Sequence, residues 1–171
     1  ALHQNSLLRV HPGPLARMNP AFIRFTSGTT AASKGVVLPH ETIYDRIRAA
    51  NQAIAAGHPD RIVWVLSMAY HFAVSIVSYL SFGTTIVLPA NVFAPAILAA
   101  AHEHRATIIY ASPTHYQWLA DCDQAVQIPS MRLAISTTAP IDLATAVRFQ
   151  NRFGIPLTQA LGIIEVGLPF I

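Results

Sequence analysis

Short, almost uninterrupted apolar runs alternate along the chain with segments whose apolar positions recur every three to four residues. The runs are Ala21 to Phe25, Arg61 to Leu66, Thr84 to Leu88, Thr107 to Tyr110, Arg132 to Ser136 and Leu157 to Leu161. Rich in β-branched and aromatic residues, they predict buried strands, and Val36-Val37-Leu38 begins another after a polar loop. Helical spacing marks Glu41 to Ala56, Phe72 to Leu80, Pro95 to His104, Thr114 to Ala120 and Asp142 to Phe153. Pro113-Thr114 and Pro140-Ile141-Asp142 read as helix starts, and Gly57-His58-Pro59 and Gly154-Ile155-Pro156 as helix ends. Strand and helix in alternation predict an α/β fold: a mostly parallel sheet flanked by helices and joined by right-handed crossovers.

Composition narrows this picture. Of 171 residues 53% are apolar and only 11% charged, against a usual charged share of about 25%, which excludes a disordered chain or a coiled coil. No Asp, Glu, Lys or Arg stands between Arg61 and Glu103, but Gly83, Pro89, Asn91 and Pro95 break that stretch far too often for a spanning helix. No membrane span is expected. Eleven Lys and Arg against eight Asp and Glu give a net charge of +3 without any basic block, so no nucleic-acid partner is expected. The single cysteine, Cys122, excludes an internal disulfide and a cysteine-rich zinc site, which suits a cytoplasmic location. The eight histidines include no Glu-bearing pair at helical spacing. The start at Ala1 and the stop at Ile171, inside an apolar run, read as a piece of something longer.

The chemistry concentrates in one loop. The strand ending at Phe25 runs into Thr26-Ser27-Gly28-Thr29-Thr30-Ala31-Ala32-Ser33-Lys34-Gly35. Small hydroxyl residues leave backbone N–H groups accessible, glycines permit tight curvature and one lysine adds a compact positive charge. Together these can cradle an anion, phosphate above all. By composition alone the same string is an ordinary Ser/Thr-rich turn. Lys34 is followed by Gly35 where a Walker A loop needs Ser or Thr, so that class of nucleotide triphosphatase is excluded. No Gly-x-Gly-x-x-Gly follows a strand, and Ser27 lacks the setting of a nucleophile elbow.

Order and flanks add a resemblance. Thr26-Ser27-Gly28-Thr29-Thr30 followed by Lys34-Gly35-Val36 resembles the phosphate loop of the adenylate-forming (AMP-binding) superfamily, which includes acyl-CoA and aryl-CoA synthetases, peptide-synthetase adenylation domains and luciferases. Pro39-His40-Glu41-Thr42-Ile43 stands where that family starts a helix. Ser67-Met68-Ala69-Tyr70-His71-Phe72 looks like the segment whose His or aromatic residue lines the carboxylate pocket. Ser136-Thr137-Thr138-Ala139-Pro140 resembles the Ser-Gly-Gly-Ala-Pro loop beside the adenine, and Ala160-Leu161-Gly162-Ile163-Ile164-Glu165 sits where the family has Tyr-Gly-x-Thr-Glu. Four motifs in the family's order cover most of the chain.

The resemblance implies part of an acyl-CoA synthetase-like N-terminal domain, residues 1–171, without the C-terminal lid domain and its lysine. It implies an AMP-forming acid–thiol ligase: a carboxylic acid is joined to ATP as an acyl-adenylate and passed to a thiol, CoA or the phosphopantetheine of an acyl carrier protein. Carried over by position, Thr26, Ser27, Gly28, Thr29, Thr30 and Lys34 would hold the phosphates, and Glu165 would bind Mg²⁺. Lys34 and Glu165 would be the catalytic pair. Thr138, Ala139, Pro140, Leu161 and Gly162 would border the adenine, and His71 with Gly162 the acid pocket. His71 also reads, without the family, as a packed histidine on an apolar helix. A lone carboxylate amid Ile163, Ile164, Val166 and Leu168 needs a partner, and a metal is a good one. No acid stands near Tyr70 to Ser75 to hold an ammonium, so an apolar or aryl acid is expected rather than an amino acid. Ala31 and Ser33 in the loop, Thr137 and Thr138 in place of glycines, Leu161 in place of an aromatic and Ile164 in place of a threonine depart from the pattern. They motivate an alternative, a non-catalytic nucleotide-binding or interaction module. This portion alone is expected to form little adenylate.

Overall fold

The computed structural model describes residues 13–25, 35–163 and 166–170. The chain divides into two compact units, residues 1–45 and 46–171.

In the first, a short helix α1 (Pro14–Arg17) precedes strand β1 (Pro20–Phe25), which pairs antiparallel with β2 (Gly35–Pro39) from Pro20 opposite Pro39 to Phe25 opposite Gly35. Helix α2 (His40–Ile54) follows β2 directly. Its entry is fixed by Asn19, in the left-handed region at φ 48°, whose carbonyl accepts from the His40 N–H and whose amide donates to Glu41 at 2.7 Å. The expectation of a buried strand at Ala21 to Phe25 is corrected here. Ile23 and Phe25 are largely exposed, because in this antiparallel pair even the outward positions are apolar, and the run imitates a strand covered on both faces.

The second unit carries a five-stranded parallel sheet in the order β4 (Thr85–Val87), β3 (Arg61–Trp64), β5 (Ile108–Ala111), β6 (Leu133–Ser136), β7 (Leu157–Gln159). Side chains alternate between its faces. Ile62, Trp64, Ile108, Tyr110 and Ile135 meet Ala50 and Ile54 of α2 together with Ile76 and Tyr79. Val63, Ile109, Ala111 and Ala134 meet the opposite layer, formed by α5 (Ala94–Glu103), α6 (Pro113–Asp121) and α7 (Leu143–Phe153). Both faces are thus covered, which is why the central strands read as continuous apolar runs.

Helix ends follow local chemistry. Pro113 occupies the first turn of α6, where Ser112 and His115 form a reciprocal capping box. The Asp142 carboxylate accepts from the Thr145 N–H at 2.8 Å to start α7, and Gly154 at φ 75° ends it. Two elements differ from expectation. The helix expected over Phe72 to Leu80 is three pieces: α3 (Met68–His71), a π-helical turn (Phe72–Ile76) and α4 (Val77–Ser81). The strand expected over Leu157 to Leu161 divides at Ala160, whose N–H goes to the Ser136 carbonyl at 2.8 Å; beyond it β8 (Leu161–Ile163) pairs antiparallel with β9 (Gly167–Phe170). Among the described residues no helix is long and apolar enough to cross a membrane.

Candidate active site

The chain leaves β3 for β4 on one side and then returns past β3 to place β5, β6 and β7 on the other. At such a reversal the two connections diverge and leave a crevice outside the carboxyl ends of the central strands, here β3 and β5, where ligands of open α/β sheets bind. From β3 the chain reaches this edge at Trp64 to Ser67 and turns into α3; from β5 it reaches it at Ser112 and turns into α6. The exits of β6 and β7 lie alongside. The Thr137 N–H donates to the Ala111 carbonyl at 3.0 Å, and Ala160 holds Ser136 as described.

Every described residue singled out from the sequence therefore falls at one edge of the sheet. His71, at the end of α3, is half-buried, its ring 5.3 Å from that of Trp64 and 6.2 Å from that of Tyr110, both edge-on. Thr138, Ala139 and Pro140 form an exposed turn after β6. Leu161 and Gly162 follow β7 on the exposed strand β8, so they lie beside the Thr138 turn through the Ala160–Ser136 contact. Thr26, Ser27, Gly28, Thr29, Thr30, Lys34 and Glu165 lie outside the described residues. Their flanks are antiparallel ladders, closed at Phe25 opposite Gly35 and at Ile163 opposite Gly167.

The two threonines that replace glycines have different fates. Thr138 is exposed and holds φ 77°, a left-handed conformation that glycine adopts freely and a β-branched residue rarely does. Thr137 is buried, so its side chain lies inside the fold rather than at the exposed turn.

Sequence reasoning did not find Tyr110, which it took as the end of a strand. The Tyr110 ring stacks on Trp64 at 5.2 Å, with Tyr79 edge-on to both at 6.0 and 6.3 Å. The Trp64 indole N–H donates to the Leu66 carbonyl at 2.7 Å. Burial pushes the Tyr110 phenol above its ordinary value, with Thr137 and Ser75 partly opposing it, so it is neutral at neutral pH. Among the described residues no three His, Cys, Asp or Glu side chains gather as a metal site.

A comparison with known families decides the assignment: residues 3–171 match the AMP-binding enzyme family. The chain belongs to that family. This AMP-binding chain is 26% identical over 153 residues to a sulfoacetate–CoA ligase of Cupriavidus necator, covering 88% of the chain and 30% of the relative. It is 29% identical over 159 residues to a 4-hydroxybenzoate–CoA/benzoate–CoA ligase of Rhodopseudomonas palustris, covering 88% and 29%. Among solved structures, apo MatB from Rhodopseudomonas palustris superposes with a TM-score of 0.80 at 22% identity, covering 88% of the chain and 30% of that protein, a likeness of fold. The chain spans about 30% of the length of these curated relatives. The α/β fold expected from the sequence is that of the family.

Proposed function

We propose that the protein containing this chain is an AMP-forming ligase that activates a carboxylic acid and passes it to a thiol. The carboxylate oxygen attacks the α-phosphorus of ATP, the bond to pyrophosphate breaks and an acyl-adenylate forms. A thiolate of CoA or of a carrier-protein phosphopantetheine then attacks the acyl carbon and AMP leaves. What supports this reading is the family membership together with the meeting of His71, the Thr138 turn and Leu161-Gly162 at the carboxyl edge beside a topological switch point.

In this proposal the N–H and hydroxyl donors of Thr26 to Thr30 and the Lys34 ammonium bind the β- and γ-phosphates and neutralise charge that grows on the leaving pyrophosphate. Glu165 would hold Mg²⁺, which would supply further positive charge at the phosphates. Thr138, Ala139 and Pro140 form one margin of the adenine site, and Leu161 covers a face of the base by apolar contact where an aromatic ring would stack. The backbone at Gly162 passes close to the base. His71, held by Trp64 and Tyr110, walls the acid pocket. No charged side chain stands on the exits of the strands at 64–82, 108–120, 133–141 or 157–163, which favours an apolar or aryl acid. The chain is read as the central portion of a large N-terminal domain that works with a C-terminal lid, in the cytoplasm where ATP and CoA are available. By itself it forms little adenylate.

The test is acid-dependent pyrophosphate release by the intact protein across a panel of aryl, aliphatic and amino acids, with Mg²⁺ and ATP. Release is expected with uncharged acids, and Lys34→Ala and Glu165→Ala should each lower kcat by about a hundredfold or more. ATP binding by calorimetry with no release for any acid would replace catalysis with a non-catalytic nucleotide-binding module.

A further inference from the structure

We infer that Arg46 is a positioning residue: its aliphatic stem, laid across Gly167, seats the β8–β9 hairpin against α2 and so sets the place of the nucleotide residues that the hairpin carries. This rests on the adenylation reading above and adds a residue to the machinery of that same site. Arg46 and Gly167 both belong to the second unit.

The hairpin has little of its own to hold it. Leu161, Gly162 and Ile163 of β8 are exposed, as is Val166 just before β9, and a lone two-stranded ladder is marginal in water without packing. Gly167 is the exception. It is buried, and it holds φ 106°, a conformation that side-chain-bearing residues rarely adopt. A Cβ at 167 would stand 3.2 Å from both Cγ and Cδ of Arg46 and 3.6 Å from its Cβ. The first two distances are tighter than ordinary carbon contacts, so any side chain there would crowd the arginine stem as well as strain the backbone. The next residue, Leu168, packs against the buried cluster that includes Ile54 and Ile62. Strand β9 is thus the seated strand and β8 the presented one.

Arg46 reaches the hairpin from a fixed platform. It is half-buried, beside Ile47 and one turn before Ala50, which are both buried. The far end of the helix is tied down as well, because Arg132 donates to the carbonyls of Ile54 and Ala55. A long cationic side chain can cover neighbouring surface with its methylenes, and here that surface is glycine backbone.

The ladder carries the effect onward. Gly167 pairs with Ile163, and Phe170 with Leu161, so a shift at Gly167 is passed to the strand that presents Leu161 and Gly162. Glu165 lies between the paired residues Ile163 and Gly167 in the chain. Losing the stem leaves the sheet and its two layers intact and frees the hairpin, so nucleotide affinity falls more than stability does.

The experiment compares the intact protein with Arg46→Ala, which removes stem and charge, and Arg46→Met, which keeps an unbranched stem without the charge. Backbone hydrogen exchange is followed from Ala160 to Phe170 in the absence of nucleotide, and KM for ATP is measured by acid-dependent pyrophosphate release. Arg46→Ala should exchange about tenfold faster over the hairpin, with β3, β5 and β6 unchanged, and should raise KM for ATP about tenfold while the thermal midpoint falls by no more than about 3 °C. Arg46→Met should stay within about twofold of the unaltered protein in both measurements. Gly167→Ala should resemble Arg46→Ala, and the double variant should lose less than the two single losses combined. Unchanged hairpin exchange in Arg46→Ala would overturn the proposal, and so would an Arg46→Met protein as impaired as Arg46→Ala, since the charge would then be what acts. Faster exchange in the sheet together with the hairpin would reduce Arg46 to a general structural residue and overturn it equally. If Arg46→Ala does not fold, Arg46→Met and Gly167→Ala decide the matter. Hairpin exchange as expected, with no acid-dependent release by the unaltered protein, would remove the adenylation reading and leave the seating of the hairpin standing.

Discussion

Thr137 and Thr138 are adjacent, chemically identical and both replace a glycine expected from the family pattern, yet substitution should move stability in opposite directions. Thr138 sits at φ 77° with its side chain exposed. A branched Cβ there crowds the following carbonyl at a cost of roughly 1–2 kcal/mol, and glycine gives back about half of that through the entropy of the unfolded chain. Thr138→Gly is expected to stabilise by about 0.5–1 kcal/mol, read as a higher urea midpoint at constant m-value. Thr137→Gly empties a buried side-chain site and adds backbone freedom to the unfolded chain, so it should destabilise by about 1–3 kcal/mol. Equal shifts of one sign would contradict the assignment of one side chain to solvent and the other to the interior. The departure from glycine was plain in the sequence. Which threonine faces inward was not, because the direction of consecutive side chains at a strand exit depends on a backbone turn that composition does not encode.

Elements whose boundaries rest on local chemistry were legible, and those that rest on distant partners were not. The end of α7 at Gly154 follows from a residue that tolerates a left-handed backbone, and nothing lies within 4 Å of where a Cβ would stand. Gly154→Ala should therefore cost only the conformational strain, about 1 kcal/mol, in thermal or urea unfolding, with no added clash. A much larger loss would mean that the site is crowded after all. The start of α6 was equally readable from Pro113, although the part His115 has in the cap was not. By contrast, Phe72 to Leu80 carries helical spacing that conceals the π-helical turn, since one slipped hydrogen bond leaves the apolar positions almost unchanged. The exposed apolar face of β1 made an antiparallel pair look like a buried strand. The break at Ala160 depends on the Ser136 carbonyl, a contact made across the sheet. At the candidate site, the motif residues were found from order and spacing, and Tyr110 was missed for the same reason as Ala160: its partners come from other elements.

Across the second unit the two edges of the sheet have divided roles. The strand exits at the carboxyl edge carry no Asp, Glu, Lys or Arg, and the amino edge is clamped by an ionic network in which a buried carboxylate, Asp60 at 5% exposed, meets the half-exposed side chain of Arg132. Arg132, leading into β6, donates to both Asp60 oxygens at 2.8 Å and also to the carbonyls of Ile54 and Ala55 at the end of α2. The Thr107 hydroxyl, leading into β5, donates to the same carboxylate at 2.7 Å, and the Gly57 N–H does so at 3.0 Å. Hydrogen bonding from Arg132 is the main reason the Asp60 carboxyl falls to about 2, against an ordinary 3.8, with burial opposing it. Because the folded value is the lower one, the ionised form stabilises the fold. Its contribution is complete above the ordinary value near pH 4, shrinks as pH falls through the interval, and is gone below about pH 2. By linkage that contribution is about 2 kcal/mol. Urea midpoints measured from pH 7 down to pH 2 should therefore fall more steeply below pH 4 for the unaltered protein than for Asp60→Asn. At pH 7 the variant should be less stable by about 2–3 kcal/mol, because Arg132 keeps its charge and loses its carboxylate. Parallel acid profiles for the two proteins would show that the network does not hold the amino edge together.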